Sequence, residues 1–254
     1  MFDRTTMDPA LVLVAHGTRN PRGVQMVAEL AEAVAVKVGP TRVAFVDVLG
    51  PSPSEVLREL SEPAVVVPAF LASGYHVHTD VPREVADSRH GSTVITAALG
   101  PDIVLAEVLH TRLRDSGWRP GDAIVLAAAG SSDARALHEH RRAAAMLADR
   151  TSVSVRIGYV ATSTPTVAQA VTSSRQEGHR RVFVASYLLA RGLFHTRLSD
   201  AGADGVTDPL GVHPAIVDLV AQRYAEGAQR FVSGPTGGGA VTAAVRTARP
   251  AHRM

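Results

Sequence analysis

The run ALVLVAHG (10–17) is echoed by DAIVLAAAG (122–130), and three further echoes follow in the same order. TRVAFVDV (41–48) pairs with VSVRIGYV (153–160), AVVVPAFLASG (64–74) with RVFVASYLLARG (181–192), and ALGPDIVLAEVLHTRL (98–113) with PLGVHPAIVDLVAQRY (209–224). A two-fold repeat of this length is a duplicated domain, not a solenoid. The spacing predicts two tandem copies, 8–118 and 119–230, joined near Trp118–Gly121. Residues 231–254 carry Gly, Pro and Arg in no periodic order and are expected to be a disordered tail.

The content of one copy sets the fold class. The apolar runs 11–15, 43–49, 64–72 and 93–99 are short, β-branched and bounded by Gly, Pro or polar residues, so they read as buried strands. Between the first two, Val24, Val27, Ala31, Val34 and Val38 recur at helical steps, with Pro21 suited to the first turn and Gly39 to the end. SPSEVLREL (52–60) opens a second helix and Pro101–Arg114 a third. Strand–helix alternation predicts an α/β protein in which each copy is a parallel sheet flanked by helices. The expected site is a cleft between the copies.

Composition removes several function classes. Lys+Arg number 26 against Asp+Glu 24, a net charge of +2, and aromatics are 4%. Neither a polyanion-binding surface nor a base-stacking platform is expected, hence no nucleic acid. With Cys 0 there is no disulfide framework and no Cys-held zinc or iron–sulfur cluster. Any metal must be held by His, Asp, Glu or water. No 18-residue apolar run exists, and no apolar leader core precedes Leu11, so no membrane association is expected and the cytoplasm is the default compartment.

The duplication is an internal control. Positions shared by both copies read as architecture, and chemistry found in one copy alone marks a site. The first strand ends in Ala-His16-Gly17-Thr18 in one copy and Ala-Ala129-Gly130-Ser131 in the other. Asp47 stands against Tyr159, and Gly-Tyr-His76 against Gly-Leu-Phe194. His16, Asp47 and His76 thus fall at or beyond the carboxyl ends of strands, where open parallel sheets bind ligands. Two imidazoles and a carboxylate suit a borderline divalent cation and leave coordination positions open, which fits metal handling or catalysis.

Each residue alone also has a bland reading. His16 is compatible with a satisfied turn residue, and His76 and His78 with a solvated loop. Asp47 in an apolar strand is compatible with an arginine pair, since a buried carboxylate is costly without one. An extended chain would put His76 and His78 on one face. HEHRR (138–142) is not the HExxH zinc motif and reads as a solvated helix face. HGTR (16–19) lacks the Arg that a phosphohistidine motif needs before its His.

HGT at 16–18, AFVDVLGPS at 44–52 and PAFLASGYHVHTDVP at 68–82, in a duplicated α/β frame, resemble the sirohydrochlorin chelatases, the class II chelatases of siroheme and cobalamin synthesis. Pro68, Phe70, Leu71, Gly74, His76, Asp80 and Pro82 carry the most specific part. The resemblance extends over roughly residues 10–226. It implies insertion of a divalent metal, Fe2+ or Co2+, into the acidic tetrapyrrole sirohydrochlorin, with no tightly bound cofactor. It assigns His16, Asp47 and His76 to the metal, although the family usually has Glu in place of Asp47. His16 and His76 are the expected catalytic pair. Arg19, Gly74, His78, Arg191, Gly192 and His195 are the expected substrate contacts. A non-enzymatic metal or tetrapyrrole carrier with the same pocket is the rival reading. Since the duplication replaces the dimer of a single-domain relative, a monomer is favoured over a homodimer.

Overall fold

The computed structural model describes residues 8–232. They form two four-stranded parallel sheets of the same topology. β1 (Ala10–Ala15), β2 (Thr41–Phe45), β3 (Ala64–Pro68) and β4 (Thr93–Ile95) are ordered β2-β1-β3-β4. β5 (Ala123–Ala128), β6 (Val155–Tyr159), β7 (Val182–Tyr187) and β8 (Gly205–Val206) are ordered β6-β5-β7-β8. The central strands are apolar on both faces, as a sheet covered by helices requires: Val12, Leu13, Val14, Val65, Val66 and Val67 are fully buried.

Local sequence fixes the helices between the strands. Before α1 (Pro21–Val38), Asn20 accepts the amide of Arg22, Pro21 opens the helix and Gly39 follows it. Ser52 and Glu55 close a capping box on α2 (Pro53–Arg58). Thr166 and Gln169 do the same on α6 (Val167–Gln176). Asp133 caps α5 (Ala134–Thr151) by accepting the amide of Arg135.

The last helix of each copy crosses over. α4 (Ile103–Asp115) packs on α5 and β7 of the second copy, and α8 (Pro214–Val232) packs on α1 and β3 of the first. Close approach requires Gly227 in α8, where a Cβ would stand 2.5 Å from a Val65 methyl. Tyr224 Oη donates to the Pro9 carbonyl at 2.7 Å, and Tyr187 Oη of β7 donates to the Leu71 carbonyl at 2.8 Å. The inner faces of both sheets therefore share one hydrophobic core, which runs from Leu11 and Val65 to Leu126, Phe183 and Val220. Two smaller cores cover the outer faces.

Three strands are shorter than their apolar runs. β2 stops at Phe45, β3 at Pro68 and β4 at Ile95, where the chain peels away into loops at the carboxyl edge. Those loops are still apolar in sequence. The last helix continues through Phe231 and Val232, beyond the expected start of the tail at residue 231. Residues 233–254, the rest of that expected tail, lie outside the described residues. Among the described residues no helix is long and apolar enough to cross a membrane.

Candidate metal centre

His16 follows β1 directly. Gly17 turns the chain with φ +94°, and a Cβ there would lie 2.0 Å from the Asp47 carbonyl oxygen. Only glycine fits that conformation and that approach. The Asp47 amide donates to the His16 carbonyl at 3.0 Å, so the loops after β1 and β2 are tied together. Asp47 itself corrects the expectation of a carboxylate in an apolar strand. It lies beyond β2 and is exposed, so it bears no burial cost. Its carboxylate accepts the Val48 amide at 2.7 Å.

His76 lies on a helical segment where an extended chain was considered. His76–Asp80 form a π-helical turn that leads into α3 (Val81–Ser88). His76 and Asp80, four apart, meet: Nδ1 is 2.7 Å from Asp80 Oδ2. Arg83 holds the other Asp80 oxygen at 2.9 Å, and Asp80 is 6% exposed. Phe70 stacks near the His76 ring at 6.2 Å and Tyr75 meets it edge-on at 6.1 Å. His78 does not share a face with His76. It is exposed.

The rings of His16 and His76 meet at right angles, with centroids 4.5 Å apart and planes at 82°. Each Nδ1 faces an acceptor, the Gly17 carbonyl at 3.2 Å for His16 and the Asp80 carboxylate for His76. That hydrogen bonding assigns the proton to Nδ1 in both rings and leaves both Nε2 lone pairs available. With metal–nitrogen bonds of about 2.1 Å, two imidazoles bound side by side to one ion have ring centres roughly 4.5–5.5 Å apart. Among the described residues, no group of three His, Cys, Asp or Glu side chains is placed to hold a metal. Of the three residues expected at the metal, His16 and His76 touch, while Asp47 is tied to His16 through the backbone and its carboxylate is not gathered with the rings.

The second copy keeps the frame without the chemistry. Gly130 has φ +93°, a Cβ there would lie 1.9 Å from the Ala161 carbonyl, and the Ala161 amide donates to the Ala129 carbonyl at 3.0 Å. Phe45 and Tyr159 each donate an amide at 2.9 Å to the carbonyl of a proline, Pro51 and Pro165. Ala161 is thus the counterpart of Asp47, and Tyr159 that of Phe45, which corrects the pairing read from sequence. The contrast survives the correction: His16 faces Ala129 and Asp47 faces Ala161.

The remaining candidates divide by position. A Cβ on Gly74 would be 3.2 Å from Ala136 of α5, and the Ser73 amide donates to Glu139, so this loop abuts the second copy. Gly192 approaches Asn20 from the other side. Arg19 is exposed. Arg191 pairs with Asp208. His195 is turned into its own copy, with Nε2 3.0 Å from the Thr207 carbonyl. Exposed apolar side chains stand on the segments beyond the strands: Val48 and Leu49 after β2, Tyr75 after β3, Leu193 and Phe194 on a helical turn after β7, and Val212 after β8. Sequence reasoning missed Asp80 as the partner of His76; the signal was a His and an Asp four apart just before Pro82. It also read HEHRR as solvated throughout. His140 is instead 5% exposed, with Nδ1 unpartnered, and burial pushes its pKa down to about 4.

Fold and site together define a class: a duplicated open α/β protein in which one copy carries paired, oriented imidazoles at its sheet edge and the other has lost them. The chain belongs to the CbiX family, the sirohydrochlorin chelatases, whose family model matches residues 10–116 and 123–227. A sirohydrochlorin cobaltochelatase of Methanothermobacter thermautotrophicus is 28% identical over 130 residues, 42% of this chain and 91% of that protein. The chloroplastic sirohydrochlorin ferrochelatase of Arabidopsis thaliana is 31% identical over 114 residues, 41% of this chain and 51% of that protein. In structure the fold is similar to SirB from Bacillus subtilis with Fe3+, with TM-score 0.76 and 22% identity over 90% of this chain and 98% of that one.

Proposed function

We propose that the protein inserts a divalent metal, Fe2+ or Co2+, into sirohydrochlorin, with His16 and His76 as the metal-handling and proton-accepting pair. The observation that carries this reading is the perpendicular contact of two imidazoles with both Nε2 lone pairs free. The names of the relatives, cobaltochelatases and a ferrochelatase, support the substrate class.

Two imidazoles hold an ion loosely enough for it to leave, since the other coordination positions stay with water. Insertion exchanges imidazole nitrogens for pyrrole nitrogens and releases two pyrrole N–H protons. Each imidazole freed from the metal accepts one of them, so the charge balances. Imidazole, with an unperturbed pKa of about 6.5, suits that task near neutral pH. Asp80 steadies the proton on Nδ1 of His76 and stabilises its imidazolium. Asp47, one loop away, adds negative potential for the incoming cation. The exposed apolar rim of both copies suits the faces of a flat macrocycle, and Arg19 and Arg191 suit its carboxylates.

The test follows the absorbance change of anaerobic sirohydrochlorin mixed with Fe2+ or Co2+, with and without the protein. Acceleration of metallated product is expected. Tight binding of metal or macrocycle without acceleration would make the protein a carrier.

A further inference from the structure

A cavity of about 280 Å³ lies between α1 and the loop after β8, lined by Arg22, Glu29, Arg112, Arg191 and Asp208 among others. It holds one more cation than anion. Arg191 is paired with Asp208, and Glu29 is engaged by Gln25 at 2.8 Å. Among the described residues Arg112 has no carboxylate partner. One of its terminal nitrogens donates to the Leu210 carbonyl at 2.8 Å, while its Nε is buried with no hydrogen-bond partner. Arg112 lines the cavity with one of its five N–H donors given to a carbonyl, an arrangement that still takes an anion.

The other copy shows what is missing. Arg223 of α8 is the counterpart of Arg112 of α4. It donates to the Ala98 carbonyl at 3.3 Å and also pairs with Asp102 at 2.8 Å. Asp102 does two tasks, since its other oxygen accepts the Val104 amide at the start of α4. At the same place before α8 stands His213, whose Nδ1 accepts the Ala215 amide at 3.2 Å. The cap is kept and the anion is lost.

We infer that Arg112, with Arg22, forms a binding site for one carboxylate group supplied by a ligand in place of the missing aspartate. The most direct source is a side-chain carboxylate of the tetrapyrrole, because Arg22 and Arg191 follow the carboxyl ends of β1 and β7 on the same rim as His16; that assignment rests on the proposed function. A free small carboxylic acid has the same chemistry.

The experiment records Arg Nε–H resonances of the 15N-labelled full chain, titrated without metal with propionate or with sirohydrochlorin. The Arg112 signal is expected to move with propionate. His213→Asp rebuilds the internal pair on a residue that caps helices well. It is expected to weaken the effect at least tenfold while keeping the fold, and Arg22→Gln to weaken it severalfold. A shift with sirohydrochlorin at far lower concentration than propionate assigns the tetrapyrrole as source; a shift with propionate alone assigns a free acid. An Arg112 signal unmoved by both, or moved equally in His213→Asp, overturns the site. Failure of the wild-type protein to accelerate metal insertion, read separately by absorbance, overturns the proposed function and leaves the propionate result standing.

Discussion

His16 and His76 touch at right angles, on segments that leave the parallel neighbours β1 and β3 at the same edge of the sheet. Either ring alone gives one nitrogen; the contact brings two imidazoles together. His16→Ala and His76→Ala are each expected to lower the rate of metallated-product formation by about a hundredfold, the usual scale for an acid–base group. Circular dichroism should be unchanged, because His16 is exposed and His76 only partly buried. Near-normal turnover in both variants would refute the pair.

Asp80 acts through His76. Asp80→Asn keeps the shape but offers an amide whose orientation no longer fixes the Nδ1 proton, and it releases Arg83. A ten- to hundredfold loss of Co2+ affinity is expected, in line with other carboxylates behind metal-binding histidines. Titration followed by cobalt absorbance measures it, and Asp80→Glu should recover part of the loss. Asp47→Asn, by contrast, should cost less than Asp80→Asn, since the Asp47 carboxylate faces solvent and the Val48 amide.

What the sequence made legible follows from what periodicity encodes. The duplicated α/β frame and its strands show in apolar runs, though not where β2, β3 and β4 end, and the His16 and His76 contrast shows by subtracting one copy from the other. Contacts set by a turn were hidden. The repeat was aligned on Tyr159 when the proline turns pair Phe45 with it and Asp47 with Ala161. Asp80 was visible as a letter, but its bond to His76 needs the helical turn that the loop-like segment GYHVH disguised. The crossing of α4 and α8 left no trace in either copy alone, because a helix with one apolar stripe does not say whose sheet it covers.

That crossing gives a stability test. Gly227 lets α8 lie on Val65, and an added methyl would start 2.5 Å from a Val65 Cγ and 3.0 Å from a Thr96 methyl. Gly227→Ala is expected to destabilise the whole chain by about 1–3 kcal/mol, the range for overpacking, against a smaller gain in helix propensity. Val65→Ala in the same chain should restore part of it, so the two changes should be non-additive in urea unfolding. Both copies should unfold in one transition, since their inner faces share a core.

His140 supplies the pH dependence. It sits beneath Tyr159 and Tyr187, with ring centroids 5.9 Å and 6.4 Å away, and its Nδ1 has no partner. Burial disfavours the imidazolium and lowers its pKa from 6.5 to about 4 in the folded chain. Well above pH 6.5 neither state carries the proton and His140 contributes no slope. As pH falls below that value the unfolded chain takes up the proton and the folded chain does not, so stability is lost down to about pH 4, where the folded chain titrates too. The loss over that window is at most about 3.4 kcal/mol, at 1.36 kcal/mol per pH unit from 6.5 to about 4. His140→Leu, similar in bulk and without a titrating group, should flatten that part of the curve of unfolding free energy against pH. An unchanged acid slope in His140→Leu would place the titration on other groups, and a steeper one would contradict the direction of the shift.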